Sequence, residues 1–135
     1  MAAGKYSFTI EQGSTVDFEI AYKDSSGNPI DLTDYQARMQ IKDAPGGSTT
    51  YITLTSSAAP APGCTGLNMS GSNGLNPPTS GTIGVLISAV STSAFNFNQA
   101  VYDLEIASGS GDCTVVTRLI EGNIKLIKEV TTGLY

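Results

Sequence analysis

The stretch Ala100-Val101-Tyr102-Asp103-Leu104-Glu105-Ile106 decides the fold class of this chain. Its apolar side chains alternate with two carboxylates. This period of two residues is typical of a β-strand with one buried face. A second extended stretch, Val116-Thr117-Arg118-Leu119-Ile120-Glu121-Gly122, follows the turn-forming run Ser108-Gly109-Ser110-Gly111-Asp112. Two such stretches joined by a short glycine-rich connection predict a β-hairpin.

The same alternation recurs along most of the chain. It predicts strands at residues 6–10, 16–22, 37–42, 51–54, 82–87, 100–106, 113–122 and 123–130, with 66–69 as a candidate for a further short strand. Residues 88–95 are predicted to contain one helical turn, capped by Ser88 or Ser91. We therefore predict one all-β domain over residues 1–135. Its fold class is a single immunoglobulin-like antiparallel β-sandwich of about seven or eight strands.

Residues 56–80 are rich in Ser, Ala, Pro, Gly and Asn and show no clear strand pattern apart from that candidate. A structureless connection of this length is unusual inside a compact domain. It predicts either a long projecting loop with a function or an arm that becomes ordered against a partner. Tyr35 is predicted to cover one end of the core.

Charge and composition exclude several classes of partner. The chain has 135 residues, a net charge of −5 and only seven Lys and Arg residues, which are scattered. Nucleic-acid binding and attraction to membrane surfaces both need a basic face, so neither is expected. The N-terminus lacks an apolar signal segment, so synthesis in the host cytoplasm is expected. Cys64 and Cys113 are then predicted to be free thiols rather than a disulfide.

The residues that most catalytic sites need are scarce. The chain has no histidine, which removes the commonest general base and metal ligand. Asp103 and Glu105 share one strand face and have two interpretations, a paired acid site as in glycosidases or two solvent-facing residues. Alternation favours the second interpretation. A calcium site at Asp24, Asn28 and Asp31 lacks the loop spacing of known calcium motifs. We predict no enzyme activity, no metal and no cofactor.

The pattern Ala100-x-Tyr102-x-Leu104 after a Ser/Thr-rich turn resembles the tyrosine corner of immunoglobulin-like sandwiches. There the tyrosine precedes a core cysteine by two residues, and here Leu104 takes the position of that cysteine. The chain also lacks the tryptophan of antibody domains. The alternative is that Tyr102 is simply a core aromatic residue.

A broader resemblance spans most of the chain outside residues 56–80. Its segments are Ile10-Glu11-Gln12-Gly13-Ser14-Thr15-Val16-Asp17-Phe18, Gly27-Asn28-Pro29-Ile30-Asp31-Leu32-Thr33, Tyr35-Gln36-Ala37-Arg38-Met39-Gln40-Ile41-Lys42, Val101-Tyr102-Asp103-Leu104-Glu105, Arg118-Leu119-Ile120-Glu121-Gly122 and Glu129-Val130-Thr131. In order and spacing they resemble small tailed-phage virion structural proteins, in particular the N-terminal β-sandwich of baseplate upper proteins. The resemblance implies a sandwich that attaches to other virion proteins, and it implies no catalytic residue.

Three functions follow as hypotheses. The first is a non-enzymatic bacteriophage virion structural protein, a tail or baseplate adaptor or a fibre-attachment domain, located in the virion as a homo-oligomer or symmetric array. The second is a head decoration (cement) protein on the capsid surface. The third is a host-surface carbohydrate-binding module that uses Tyr35 and Tyr51.

Partner contacts are predicted at the long loop and at the two chain ends, because free ends and loops often reach into neighbouring subunits. The residues chosen are Ala59, Pro60, Pro62, Asn76, Pro77, Pro78, Lys5, Leu134 and Tyr135. The alternative is that these positions are ordinary mobile surface.

Overall fold

The computed structural model describes residues 3–109 and 111–132 and is almost entirely β. Its nine strands are β1 (Gly4–Lys5), β2 (Phe8–Glu11), β3 (Val16–Ala21), β4 (Gln36–Lys42), β5 (Thr50–Thr55), β6 (Gly66–Asn68), β7 (Thr82–Ile87), β8 (Gln99–Ser108) and β9 (Val115–Ile127). One short helix, α1 (Ala89–Ser93), follows β7, and single 3₁₀ turns lie at Pro78–Ser80 and Gly111–Cys113. Within the described ranges, no helix has the length and apolar character needed to cross a membrane.

The strands form two sheets, which confirms the predicted sandwich. The larger sheet has the order β1-β9-β8-β4-β5, with β2 also paired to β9, and the smaller sheet has the order β3-β7-β6. The smaller sheet corresponds to strands B, E and D of an immunoglobulin sandwich, and β4, β8 and β9 correspond to strands C, F and G. β5 extends the larger sheet beyond β4, as an added strand does in variable-type domains.

The N-terminal edge departs from the predicted antiparallel arrangement. β1 and β2 both run parallel to β9, and they share one register, because Lys5 pairs with Glu121 and Phe8 pairs with Ile124. They are therefore one edge strand that is interrupted at residues 6–7. Alternation predicts which residues are extended, but it carries no information on the direction of the neighbouring strand.

Tyr102 connects this edge strand to β8. Its ring is buried against Phe8, with the ring centroids 5.1 Å apart, and its hydroxyl donates a hydrogen bond to the carbonyl oxygen of Tyr6 at 2.5 Å. A tyrosine corner bonds to the backbone a few residues upstream, whereas this bond joins residues 96 positions apart. Tyr102 is thus a core aromatic residue that anchors the N-terminal strand, and the tyrosine-corner interpretation is wrong.

β9 is one long strand rather than the two predicted at 113–122 and 123–130. It pairs antiparallel with β8 along its length, which confirms the predicted hairpin. The register shifts between Leu104 and Glu105, because Leu104 faces Ile120 and Glu105 faces Arg118. Leu119 is therefore the extra residue of a β-bulge.

The core lies between the sheets and draws on both. In β4 and β8 every second residue is buried, as alternation predicts. The fully or almost fully buried side chains include Ile10, Leu32, Met39, Ile41, Leu54, Leu67, Ile83, Val85, Ile87, Leu104, Ile106 and Ile124. Tyr35 packs against this cluster, in agreement with its predicted place at the edge of the core.

The predicted helical turn after β7 and the two predicted free thiols are both present in the structure. The Ser88 hydroxyl caps α1 by accepting the N–H of Ser91 at 3.1 Å. Thr92 of α1 is fully buried, and its hydroxyl accepts the N–H of Gly13 at 3.1 Å and donates to the carbonyl oxygen of Ser14 at 2.8 Å. Cys64 and Cys113 are exposed free thiols.

Candidate functional site

The outer face of the larger sheet carries a continuous polar surface. Outward-facing side chains of three adjacent strands form it: Gln36, Arg38, Gln40, Lys42, Val101, Asp103, Glu105, Ala107, Val116, Arg118, Glu121 and Asn123. We call this surface, together with the adjacent Lys5, the ion-pair face. Two shallow depressions of about 490 Å³ and 420 Å³ lie on it.

The bulge at Leu119 places Arg118 and Glu121 on this face together. In a regular strand, residues three apart point to opposite sides. Arg118 Nε lies 3.3 Å from Asp103 Oδ2, and Arg118 Nη1 lies 3.7 Å from Glu121 Oε2. Lys5 Nζ lies 2.6 Å from Glu121 Oε1. Four charged side chains therefore form one connected row across β1, β9 and β8.

A second ion pair joins β4 to β8. Arg38 and Glu105 occupy directly paired positions, and the Arg38 Nε donates to Glu105 Oε1. Asp103 and Glu105, the candidate acid pair, each have a cationic partner on a neighbouring strand. The partner of Asp103 is Arg118, and that of Glu105 is Arg38. Cross-strand pairs of this kind are typical of structural surface pairs and contribute only ~0–1 kcal/mol each.

The charge balance of this face differs from that of the whole chain. Four of the seven Lys and Arg residues lie there, but only three of the twelve Asp and Glu residues. The hydrogen bond from Lys5 holds the pKa of Glu121 below its usual range, and the charges of Lys5 and Arg118 act in the same direction. A nearly neutral surface with fixed charges of both signs suits a polar protein partner, because such charges set orientation and specificity.

The outer face of the smaller sheet is instead partly covered by the chain itself, over β6 and β7, while Asp17, Glu19 and Ala21 of β3 are exposed. The predicted short strand is present as β6, and all three of its residues are buried. Ser72 lies directly over Gly84 of β7, so closely that a Cβ atom on Gly84 would meet the Ser72 backbone at 2.6 Å. Ser72 also donates its N–H and its hydroxyl to Glu19 Oε1, both at 2.9 Å. We call residues 69–76 the cover segment. Residues 56–80 thus do not project as one loop.

The predicted contact residues of this region take part in that packing to different degrees. They are Ala59, Pro60, Pro62, Asn76, Pro77 and Pro78. Pro60 packs over Gly66, and Asn76 is half-buried beside Gly71. The carbonyl oxygen of Pro78 accepts the N–H of Leu32 at 3.0 Å. Ala59, Pro62 and Pro77 are exposed.

The structure does not bring the remaining predicted contact residue next to this group. Lys5 lies at the edge of the larger sheet, where it pairs with Glu121. Leu134 and Tyr135 lie outside the described residues. The predicted contact residues therefore do not form one surface.

Two alternative sites fail on geometry. The Tyr51 ring packs at a tilt against Phe97, with centroids 4.5 Å apart, and Tyr35 packs against the core, so these rings do not form an exposed platform for a sugar. Asp24 Oδ1 accepts the N–H groups of Ser26 and Asn28, both at 2.9 Å, and so closes a turn. Among residues 3–109 and 111–132, no three His, Cys, Asp or Glu side chains are grouped to hold a metal ion.

Sequence reasoning missed two surface features. The alternating polar residues of β4 and β8 signal an outward face, but the row of charges needs the bulge, which has no sequence signature. The second feature is a long run without charges. Residues 44–102 contain no Asp, Glu, Lys or Arg, and this is visible in the sequence itself. This run builds β5, β6, β7 and α1.

Comparison with known proteins adds no relative. No protein-family model matches this chain, and no curated protein sequence matches it. What the chain does is therefore inferred from its own residues and geometry.

Proposed function

We propose that this chain is a non-enzymatic structural protein of a tailed-phage virion. Its role is that of a tail or baseplate adaptor or a fibre-attachment domain, and it binds other virion proteins through the ion-pair face. The observation that carries the binding role is the difference between the two sheets. The chain's own residues 69–76 cover β7 of the smaller sheet at Gly84, whereas the ion-pair face is open across β4, β8 and β9.

The open face has the properties of a polar protein interface. It is broad and shallow, and its charged side chains other than Lys42 are already paired within the chain. Paired charges cost less to bury against a partner than isolated ones, because each keeps a counter-charge after water is removed. Lys42 and Gln40 add polar groups that are in none of the ion pairs of the described residues.

The virion assignment rests on the resemblance of residues 10–18, 27–33 and 35–42 to tailed-phage structural proteins. The fold is compatible with it, since those segments include the first half of β3 and all of β4. The head-decoration alternative rests on the same resemblance. The two differ in the number of copies per particle, which approaches the number of capsid subunits only for a head protein.

Quantitative mass spectrometry of purified particles tests the virion assignment. The protein should be present at a fixed low stoichiometry relative to the major capsid protein. Absence from purified particles overturns the proposal, and a stoichiometry close to that of the capsid protein replaces the tail assignment with head decoration.

Charge reversal at Lys42 tests the ion-pair face. Lys42→Glu changes one side chain lining the larger depression without removing an ion pair of the described residues. Lys23→Glu makes the same charge change at the turn beyond β3 and is the matched control. Lys42→Glu should lower incorporation into particles, and Lys23→Glu should not. Equal incorporation of both variants, with folding verified by circular dichroism, refutes the role of this face.

A further inference from the structure

The edges of the two sheets are protected unequally. The β1–β2 edge is interrupted and carries Lys5 and Glu11, β3 carries Asp17 and Glu19, and β6 is short and buried. β5 has six residues, Thr-Tyr-Ile-Thr-Leu-Thr, with neither charge nor proline. A bulge at Tyr51 leaves 52–55 regular. Proteins usually protect an edge of this kind with charges, prolines, breaks or covers, because it offers unpaired backbone groups to another strand.

The unpaired backbone groups of β5 belong to Thr53 and Thr55. The Ser56 N–H donates to the carbonyl oxygen of Ala37 at 3.1 Å, which makes that pair a hydrogen-bonded one. Hydrogen-bonded pairs recur at every second position of an antiparallel ladder, so Leu54 is bonded to β4. The N–H and C=O groups of Thr53 and Thr55 therefore point away from β4. Both residues are exposed, and no backbone hydrogen bond outside the ladders involves them among the described residues.

The charge distribution favours a second copy of this chain as the occupant of the edge. Two molecules that each carry a net charge of −5 repel one another. The uncharged run 44–102 contains β5, so two copies approach at this side with the least like-charge repulsion. Antiparallel pairing about Thr53 also places Thr53 opposite Thr53. Threonine pairs are favourable across strands.

We propose that β5 pairs antiparallel with β5 of a second copy, around a twofold axis at Thr53. The pairing joins the larger sheets of the two molecules into one continuous sheet. Each molecule uses the same surface, so association closes at the dimer and does not extend into a filament. The dimer does not depend on the proposed virion function, because it is a property of the purified chain.

Sedimentation velocity of the purified chain, over concentrations up to about 1 mM, should show a monomer–dimer equilibrium. Added salt should strengthen association, because it screens the repulsion between two acidic molecules. Hydrogen exchange should show the amides of Thr53 and Thr55 gaining protection as the concentration rises. A dimer formed through the ion-pair face would instead weaken with salt.

Two substitutions at Thr53 test the edge itself. Thr53→Lys places a charge on the twofold axis, and Thr53→Pro removes an outward N–H while leaving the bonds to β4 in place. Each should weaken dimerisation at least about tenfold. Thr9→Lys, an exposed threonine of β2 given the same charge, is the matched control and should dimerise like the parent chain.

Three results would overturn the proposal. The first is a chain that stays monomeric at the highest concentration. The second is a dimer that survives both Thr53 substitutions in variants with a native circular dichroism spectrum. The third is concentration-dependent protection that appears elsewhere and leaves the amides of Thr53 and Thr55 unprotected.

Discussion

Replacing Tyr102 by phenylalanine should loosen the N-terminal strand while keeping the core packed. The hydroxyl of Tyr102 donates to the carbonyl oxygen of Tyr6 at 2.5 Å, and the Tyr6 N–H donates to the carbonyl oxygen of Glu121 at 3.0 Å. These two bonds hold the strand at its interruption. The phenylalanine ring keeps the contact with Phe8, so the variant isolates the hydroxyl.

The expected loss follows from the exposure of the group left behind. A typical hydrogen bond contributes about 0.5–1.5 kcal/mol, and a fully buried unpaired partner costs about 1–3 kcal/mol. The bond is only partly buried, so water replaces part of it. We therefore expect Tyr102→Phe to lower the free energy of unfolding by about 1 kcal/mol, or the melting temperature by roughly 3–5 °C.

Urea unfolding followed by circular dichroism measures this change. Tyr51→Phe is the matched control, because the Tyr51 ring is half-buried against Phe97 and its hydroxyl makes no hydrogen bond with a described residue. Its free energy of unfolding should stay within about 0.5 kcal/mol of that of the parent chain, as for a neutral surface substitution. Equal midpoints for Tyr102→Phe and the parent chain would refute the anchoring role.

The same variant has a signature at high pH. Burial raises the pKa of Tyr102 above the ordinary tyrosine value of about 10, with a smaller contribution from Tyr6. The unfolded chain therefore loses this proton at a lower pH than the folded chain does. This contribution to stability is complete below pH ~10 and is lost as the pH rises further. The parent chain should lose stability more steeply than Tyr102→Phe above pH ~10, and parallel pH profiles would contradict this.

Three other variants probe separate features. Thr92→Val should cost about 1–3 kcal/mol in urea unfolding, because it removes two partly buried hydrogen bonds to the backbone of residues 13–14, each worth about 0.5–1.5 kcal/mol. Gly84→Ala should cost about 1–3 kcal/mol and speed proteolysis of the cover segment, because the new methyl group displaces that backbone. Lys5→Gln should raise the pKa of Glu121 towards its ordinary value, as measured by NMR titration.

Each of these variants has an outcome that contradicts its premise. Unchanged stability of Thr92→Val would mean that the hydroxyl is not the partner of that turn. Gly4→Ala is the control for Gly84→Ala, because a methyl group there meets only an ordinary contact with the Leu119 carbonyl oxygen at 3.5 Å. Equal effects of the two glycine substitutions would argue against a close cover. An unchanged titration of Glu121 would show that the Lys5 contact does not persist in solution.

Alternation predicted most of the strands, and in β4 and β8 it also predicted which side chains are buried. In β8, Tyr102, Leu104 and Ile106 are buried, while Asp103 and Glu105 point to the outer face. The helix cap at Ser88 was also predictable, because a serine before a short helix meets a purely local need.

The candidate contact site was less predictable. Residues 56–80 were interpreted as a projecting loop because their composition is that of a loop. Nothing local indicates that Ser72 lies over Gly84 or bonds to Glu19. The ion-pair face was missed for a related reason, since Arg118 and Glu121 share a face only through the bulge at Leu119.

Alternation and turn chemistry are properties of neighbouring residues, so the chain alone was enough to predict an all-β sandwich, its strands and most of its core. Strand partners depend on which surfaces meet in three dimensions. The parallel N-terminal edge, the bulge in β9 and the cover over the smaller sheet therefore emerged only in the folded molecule. Those long-range contacts decide which face stays open for a partner.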